Sequence, residues 1–139
     1  MWLRRLALFV ALAWLVVLFY LSHQPILPVP MVFSFQDKVV HALAYGVLAA
    51  LLLAARRPGA DGYSRAQILG SILIASLYGI TDEWHQSFVP GRTSSVKDWL
   101  ADAAGILVAL VVLAVWERWR SRHSRPTRVS SPGSSVPRV

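Results

Sequence analysis

DEWHQSFVPGRTSSVKDWLAD, residues 82–102, holds Asp82, Glu83, Asp98 and Asp102, with His85, Gln86, Arg92 and Lys97 between them. The chain on either side is almost entirely apolar: Ile68–Ile80 runs up to it and Leu100–Trp116 runs away from it. Two further apolar stretches lie upstream, Leu6–Leu21 and Val39–Ala55. With its helical flanks each spans roughly 17 residues or more, close to what a hydrocarbon core about 30 Å thick requires. A soluble four-helix bundle would carry a polar stripe at helical period along every segment, and the first and fourth have none. The expectation is an all-α fold: a polytopic membrane bundle of four transmembrane helices, with the quoted stretch running from the end of the third into the fourth.

Composition agrees. Of 139 residues, 55% are hydrophobic and only 15% are charged, and mean hydropathy is +0.50. The length allows one domain. Cysteine is absent, which excludes disulfides, thiol catalysis, cysteine-ligated metals and lipoprotein anchoring. The net charge of +7 raises nucleic acid as a partner, but its distribution points to topology instead. If four helices alternate, Arg4, Arg5, Arg56, Arg57, Arg65, Arg118, Arg120, Arg122, Arg125, Arg128 and Arg138 share one side, and Lys38, Arg92 and Lys97 take the other. An excess of arginine marks the cytoplasmic side, so both termini are expected there and no nucleic-acid partner is expected. MWLRR resembles the basic start of a signal peptide. Its apolar run is long, however, and SHQPILPVP offers no small-x-small cleavage site, so an uncleaved anchor is expected.

Local signals place the helices at about residues 2–21, 35–55, 65–87 and 96–119, in one domain covering 1–119. Ser34–Asp37, Ser64–Gln67 and Ser95–Asp98 each have the spacing of a capping box at a helix start. Pro25, Pro28 and Pro30 favour an extended outer loop, and Val89-Pro90-Gly91-Arg92 reads as a turn. Trp84 and Trp99 are expected at the outer interface, with Trp2, Trp116 and Trp119 at the inner one. Residues 120–139, rich in Ser, Pro and Arg, read as a disordered basic cytoplasmic tail; its arginines fix topology and can meet anionic lipid.

This arrangement gathers Asp37, Asp82, Glu83, Asp98 and Asp102 at the outer ends of helices two to four, with His41, His85, Tyr45, Tyr78, Gln86 and Arg92 within a turn or two. Asp37, His41 and Tyr45 follow one another at i,i+4 and share a helix face. Glu83 extends the small-residue series Ser71, Ala75, Gly79, while Asp98 and Asp102 share a face with Gly105 and Ala109. Small residues in membrane helices mark helix–helix contact, so Glu83 and Asp102 should point into the bundle. A charge at the bilayer centre costs about 2.5–3.5 kcal/mol, falling toward the interface where this cluster sits.

Each residue also has a plainer role. Asp37 and Asp98 stand where a carboxylate stabilises a helix N-terminus, and Arg92 has Asp82 or Asp98 within reach as an ion-pair partner. Tyr45 and Tyr78 fit core or interfacial positions, and His23 reads as an idle loop histidine. His41, one turn below the interface, invites a polar partner. Glu83 has no capping position and no i,i+4 cation, and a carboxylate held in a membrane is a functional candidate by default. Partly desolvated, it is suited to acid–base chemistry. Glu83, Asp102 and His41 are also of metal-ligating type. No tight ligand pair such as H-x-x-x-H is present, and no metal or cofactor is assigned.

DKVVHALAY at residues 37–45 and YGITDEWHQSFVPGRTSSVKDWLADAAG at residues 78–105 together resemble the VanZ-like family. The elements D-K-x-x-H-x-x-x-Y, E-x-x-Q, P-G-R and D-x-x-x-[DN]-x-x-G occur in that order between Asp37 and about Leu110. The resemblance implies a small bacterial membrane protein of the cytoplasmic membrane, in a family whose founding member is linked to teicoplanin resistance. It marks Asp37, Lys38, His41, Tyr45, Glu83, Gln86, Pro90, Gly91, Arg92, Asp98 and Asp102 as the family's polar positions. Relatives often carry asparagine in place of Asp102.

Three functional readings follow. In the first, an outer-face site binds an anionic lipid headgroup or lipid-linked cell-envelope precursor through Lys38, Arg92, Gln86, Asp98, Asp37, Tyr45 and Asp102. In the second, Glu83 and His41 form the acid–base pair of a membrane-embedded enzyme acting on a lipid-linked substrate. In the third, the cluster only ties three helices together. Membrane lipids are the expected partners in each.

Overall fold

A computed structural model describes residues 2–25 and 32–123. Four α-helices follow one another: α1 (Trp2–Ser22), α2 (Gln36–Ala54), α3 (Arg65–Gln86) and α4 (Val96–His123). Among the described residues there is no strand beyond an isolated bridge, Gly59 to Gly62, in the loop between α2 and α3. The prolines at 28 and 30, and the chain beyond His123, lie outside the described residues.

Three helices are long and apolar enough to cross a membrane: α1 at mean hydropathy 2.2, α2 at 1.6 and α4 at 2.2. The packing is inside-out. Leu12, Val16, Leu43, Leu73, Leu77, Val108 and Val111 are exposed, whereas Ser71, Asp82, Glu83, Gln86, Asp98, Asp102 and Glu117 are buried. In α3 the small-residue series behaves as its spacing predicts, with Ser71, Ala75, Gly79 and Glu83 on the buried face.

α2 is the hub. It packs most extensively on α4 and also touches α1 and α3, while α1 and α4 do not meet. Tyr45, Leu48, Ala49 and Leu53 of α2 join Ala75, Ile106, Leu110 and Leu18 in one apolar core. α1 is tied in by two hydrogen bonds to backbone: Trp14 Nε1 donates to the Ala44 carbonyl at 2.9 Å, and Tyr78 Oη donates to the Leu15 carbonyl at 2.8 Å. Each satisfies a polar aromatic tip that would otherwise be stranded among apolar neighbours.

The expected capping boxes have three different outcomes. At α3 the box is complete: Ser64 Oγ accepts from Gln67 N–H, and Gln67 Oε1 accepts from Ser64 N–H. At α2 it is not formed. Phe35 is the N-cap residue and no side chain caps the helix. Asp37 turns to Lys38 instead, and Gln36 Oε1 accepts from Val32 N–H at 2.7 Å. At α4 only half is formed: Ser95 Oγ accepts from Lys97 N–H at 3.2 Å. The other half comes from a different helix, since Glu83 Oε2 accepts from Ser95 N–H at 2.7 Å.

The C-terminal boundary also differs from expectation. α4 continues past Trp119 to His123, so residues 120–123 belong to the helix and not to a disordered tail. Arg120 pairs with Glu117 at 2.7 Å, and His123 Nδ1 donates to the Trp119 carbonyl at 2.7 Å. Basic side chains in the last turn complement the helix dipole.

Candidate functional site at one end of the bundle

The C-terminal ends of α1 and α3 and the N-terminal ends of α2 and α4 meet at one end of the bundle, and most of the acidic residues lie there. The opposite end is arginine-rich. There Arg4 Nε donates to the Ala55 carbonyl at 3.2 Å, and Arg56 donates to Ser71 Oγ.

At the acidic end, Lys38 of α2 bridges its neighbour Asp37 at 2.5 Å and Asp98 of α4. One turn deeper, His41 Nδ1 meets Asp102 Oδ1 at 3.0 Å. Deeper again, the Tyr45 ring lies parallel to His41, with centroids 6.4 Å apart and an interplanar angle of 4°. Asp37, His41 and Tyr45 thus descend one face of α2, and exposure falls along it until Tyr45 is buried. On α3, Gln86 Nε2 donates to Asp82 Oδ2 at 3.0 Å, and Gln86 Oε1 accepts from Arg92 Nη2 at 2.8 Å.

The Val89–Arg92 turn puts Arg92 there. Arg92 N–H donates to the Val89 carbonyl at 3.1 Å, and Gly91 has a φ of 84°. That left-handed conformation is disfavoured for a residue with a side chain, and glycine after proline is the standard solution for such a turn. Arg92 does not pair with Asp82 or Asp98: among the described residues its guanidinium reaches neutral Gln86 and no carboxylate. Asp82 is already engaged by Gln86, and Asp98 by Lys38.

Two further assignments change. Glu83 does cap a helix start, that of α4, by reaching across from α3. His23 is not idle; its Nδ1 lies 3.3 Å from His85 Nε2, and Phe19 packs against both rings. His85 therefore faces α1, on the other side of α3 from Glu83.

His41, Glu83 and Asp102 converge: each offers a ligand-type atom within 4.8 Å of the others'. They come from α2, α3 and α4, which is why no local sequence spacing reveals them. Glu83 is 7% exposed and Asp102 1%. Glu83 Oε1 and Asp102 Oδ2 are both buried with no hydrogen-bond partner, as is Tyr45 Oη. Beside them, His41, Tyr45, Asp82, Gln86 and Arg92 join Leu18, Leu21, Val40 and Ala44 around a pocket of about 50 Å³ between α1, α2 and α3. It combines apolar walls with one cation that no carboxylate neutralises.

A family model described as VanZ/LLP1 matches residues 2–117. No curated protein and no solved structure matches the chain.

Proposed function

This chain belongs to the VanZ-like family, and on that premise we propose that it is a four-span protein of the bacterial cytoplasmic membrane whose acidic end binds an anionic headgroup. α3 is the fourth span in this reading. Averaged hydropathy under-reads it because Ser71, Asp82, Glu83 and Gln86 are buried inside the bundle, while Leu69, Leu73, Ile74, Leu77, Ile80 and Trp84 face out. At 1.5 Å per residue its 22 residues reach about 33 Å, enough for a hydrocarbon core of about 30 Å. The arginine-rich end and both termini are then cytoplasmic, and the acidic end faces outward.

The chain's lack of cysteine makes this topology simple to test in intact cells. A membrane-impermeant maleimide should label Ser94→Cys without permeabilisation and label Ala60→Cys only after it. The opposite pattern would invert the orientation, and equal labelling of both would remove the four-span arrangement.

The observation that supports a headgroup site is Arg92, hydrogen-bonded to a neutral amide beside a pocket with apolar walls. Arginine matches phosphate with a planar fork of donors. Leu18, Leu21, Val40 and Ala44 would contact only the first methylenes of the adjoining acyl or isoprenoid chain, since the pocket holds about 50 Å³. The ligand class is therefore an amphiphile with a phosphate headgroup, either a phospholipid or a lipid-linked cell-envelope precursor. Titration of the purified protein with a short-chain phosphatidic acid should show saturable binding, weakened at least tenfold by Arg92→Ala and partly restored in Arg92→Lys. A lost charge-assisted hydrogen bond of about 1.5–3 kcal/mol corresponds to that range. Binding that ignores Arg92 would remove this reading. Any contribution to teicoplanin resistance would run through the same site, so Arg92→Ala should abolish a rise in tolerance conferred by the wild type.

The buried Glu83 Oε1 beside the His41–Asp102 pair favours a second reading, in which Glu83 and His41 perform acid–base chemistry on the bound headgroup. Glu83→Gln would then abolish turnover while leaving headgroup affinity intact.

A further inference from the structure

We propose that His41, Glu83 and Asp102 hold a divalent first-row metal cation between α2, α3 and α4. The inference stands on the triad's own geometry and does not rest on the headgroup reading.

The donor set is one imidazole nitrogen and two carboxylates, a combination that suits Zn²⁺ and Mn²⁺. Ligand atoms at ordinary metal–ligand distances of about 2.0–2.2 Å lie about 3–4 Å apart. The triad's atoms already lie within 4.8 Å of one another, so small side-chain rotations close the site without moving a helix. Partnerless oxygens are the second observation. Glu83 Oε2 is occupied by Ser95 N–H and Asp102 Oδ1 by His41, yet each carboxylate keeps one buried oxygen with no partner. A carboxylate oxygen buried without a donor is costly, and two of them on adjacent helices are accounted for together by one cation.

Charge balance points the same way. The acidic end carries five carboxylates, Asp37, Asp82, Glu83, Asp98 and Asp102, against three fixed cations, Lys38, Arg92 and Lys97. With neutral histidines two formal negative charges are left over, and one divalent cation offsets both. Lys38 cannot serve, because it is committed to Asp37 and Asp98. Buried charges in proteins are paired or coordinate metals.

The test uses the full-length chain in mild detergent, stripped with a chelator and then dialysed against micromolar Zn²⁺ or Mn²⁺. Elemental analysis should find one equivalent of at least one of the two cations per chain. Glu83→Gln keeps an oxygen for Ser95 N–H and should bind at least tenfold more weakly. Glu117→Gln, which alters the buried carboxylate at the opposite end, should retain the full equivalent. If Glu83→Gln does not fold, pulsed EPR of the Mn²⁺-loaded wild type decides the matter through a coupling to a single imidazole nitrogen. A wild type that retains neither cation overturns the proposal. So does equal retention by the Glu83 and Glu117 variants, or Mn²⁺ bound without a nitrogen coupling.

Discussion

Gly105→Ala is expected to destabilise the native bundle severely. A Cβ at Gly105 would lie 1.9 Å from the Ala42 carbonyl oxygen, 2.5 Å from its carbon and 2.6 Å from the Ala42 Cα. All three atoms are backbone, so no rotamer change relieves the clash, and α2 and α4 must separate. These two helices form the most extensive interface in the protein. Separating them loosens Leu48 against Ile106 and Leu110, and draws Asp98 and Asp102 away from Lys38 and His41. Overpacking a core typically costs about 1–3 kcal/mol; with backbone on both sides the cost should reach or exceed the upper figure. Gly46→Ala should cost less, since its nearest atom, the Gly105 carbonyl oxygen, is 3.0 Å away. Gly70→Ala should be mild, because it meets only the tip of Arg56. Thermal unfolding followed by tryptophan fluorescence should rank the three in that order. A Gly105→Ala protein melting with the wild type would refute the close crossing of α2 and α4.

Lys38→Met should be the most damaging change among the polar residues. Among the described residues Lys38 is the fixed cation that joins α2 to α4 at the acidic end, and Asp98, its partner, is largely buried with a side chain 12% exposed. Breaking a buried pair from one side costs about 3–5 kcal/mol, because the remaining charge keeps its desolvation penalty. Lys38 is itself 29% exposed, so about 2–3 kcal/mol is expected here once solvent screening is allowed for. Asp37→Asn should cost well under about 1 kcal/mol, since Asp37 is half exposed and Lys38 keeps its deeper partner. Adding Asp98→Leu to Lys38→Met should recover most of the loss, as apolar replacement of a whole buried pair is often neutral. Denaturant titration of the single and double variants measures the coupling. If the double variant is as unstable as the sum of its parts, the bridge is not what holds these helix ends.

These two effects show where sequence was informative and where it was not. That Glu83 and Asp102 face inward follows from their place in small-residue series, because helical period alone decides which face a residue occupies. The capping box at Ser64 was legible for the same reason: all its partners lie within one turn. The box expected at Ser34 failed because Asp37 has a stronger partner in Lys38 and Gln36 turns back to Val32. The box expected at Ser95 was half taken over by Glu83, twelve positions away. Partners drawn from separate helices depend on how helices rotate and cross, which periodicity does not fix. The same holds for Arg92 choosing Gln86 over two carboxylates, for His23 meeting His85, and for the triad of His41, Glu83 and Asp102. Its three members sit on three helices, so the absence of an H-x-x-x-H spacing carried no information about it.

Native mass spectrometry of the protein released from its own membranes, wild type beside Arg92→Ala, reads whether a phosphate-bearing amphiphile is held at the acidic end. A defined lipid or lipid-linked precursor with a phosphate headgroup should travel with the wild type and be lost from the variant. Both forms flying bare, or carrying the same unselective lipids, would rule out a headgroup site at Arg92.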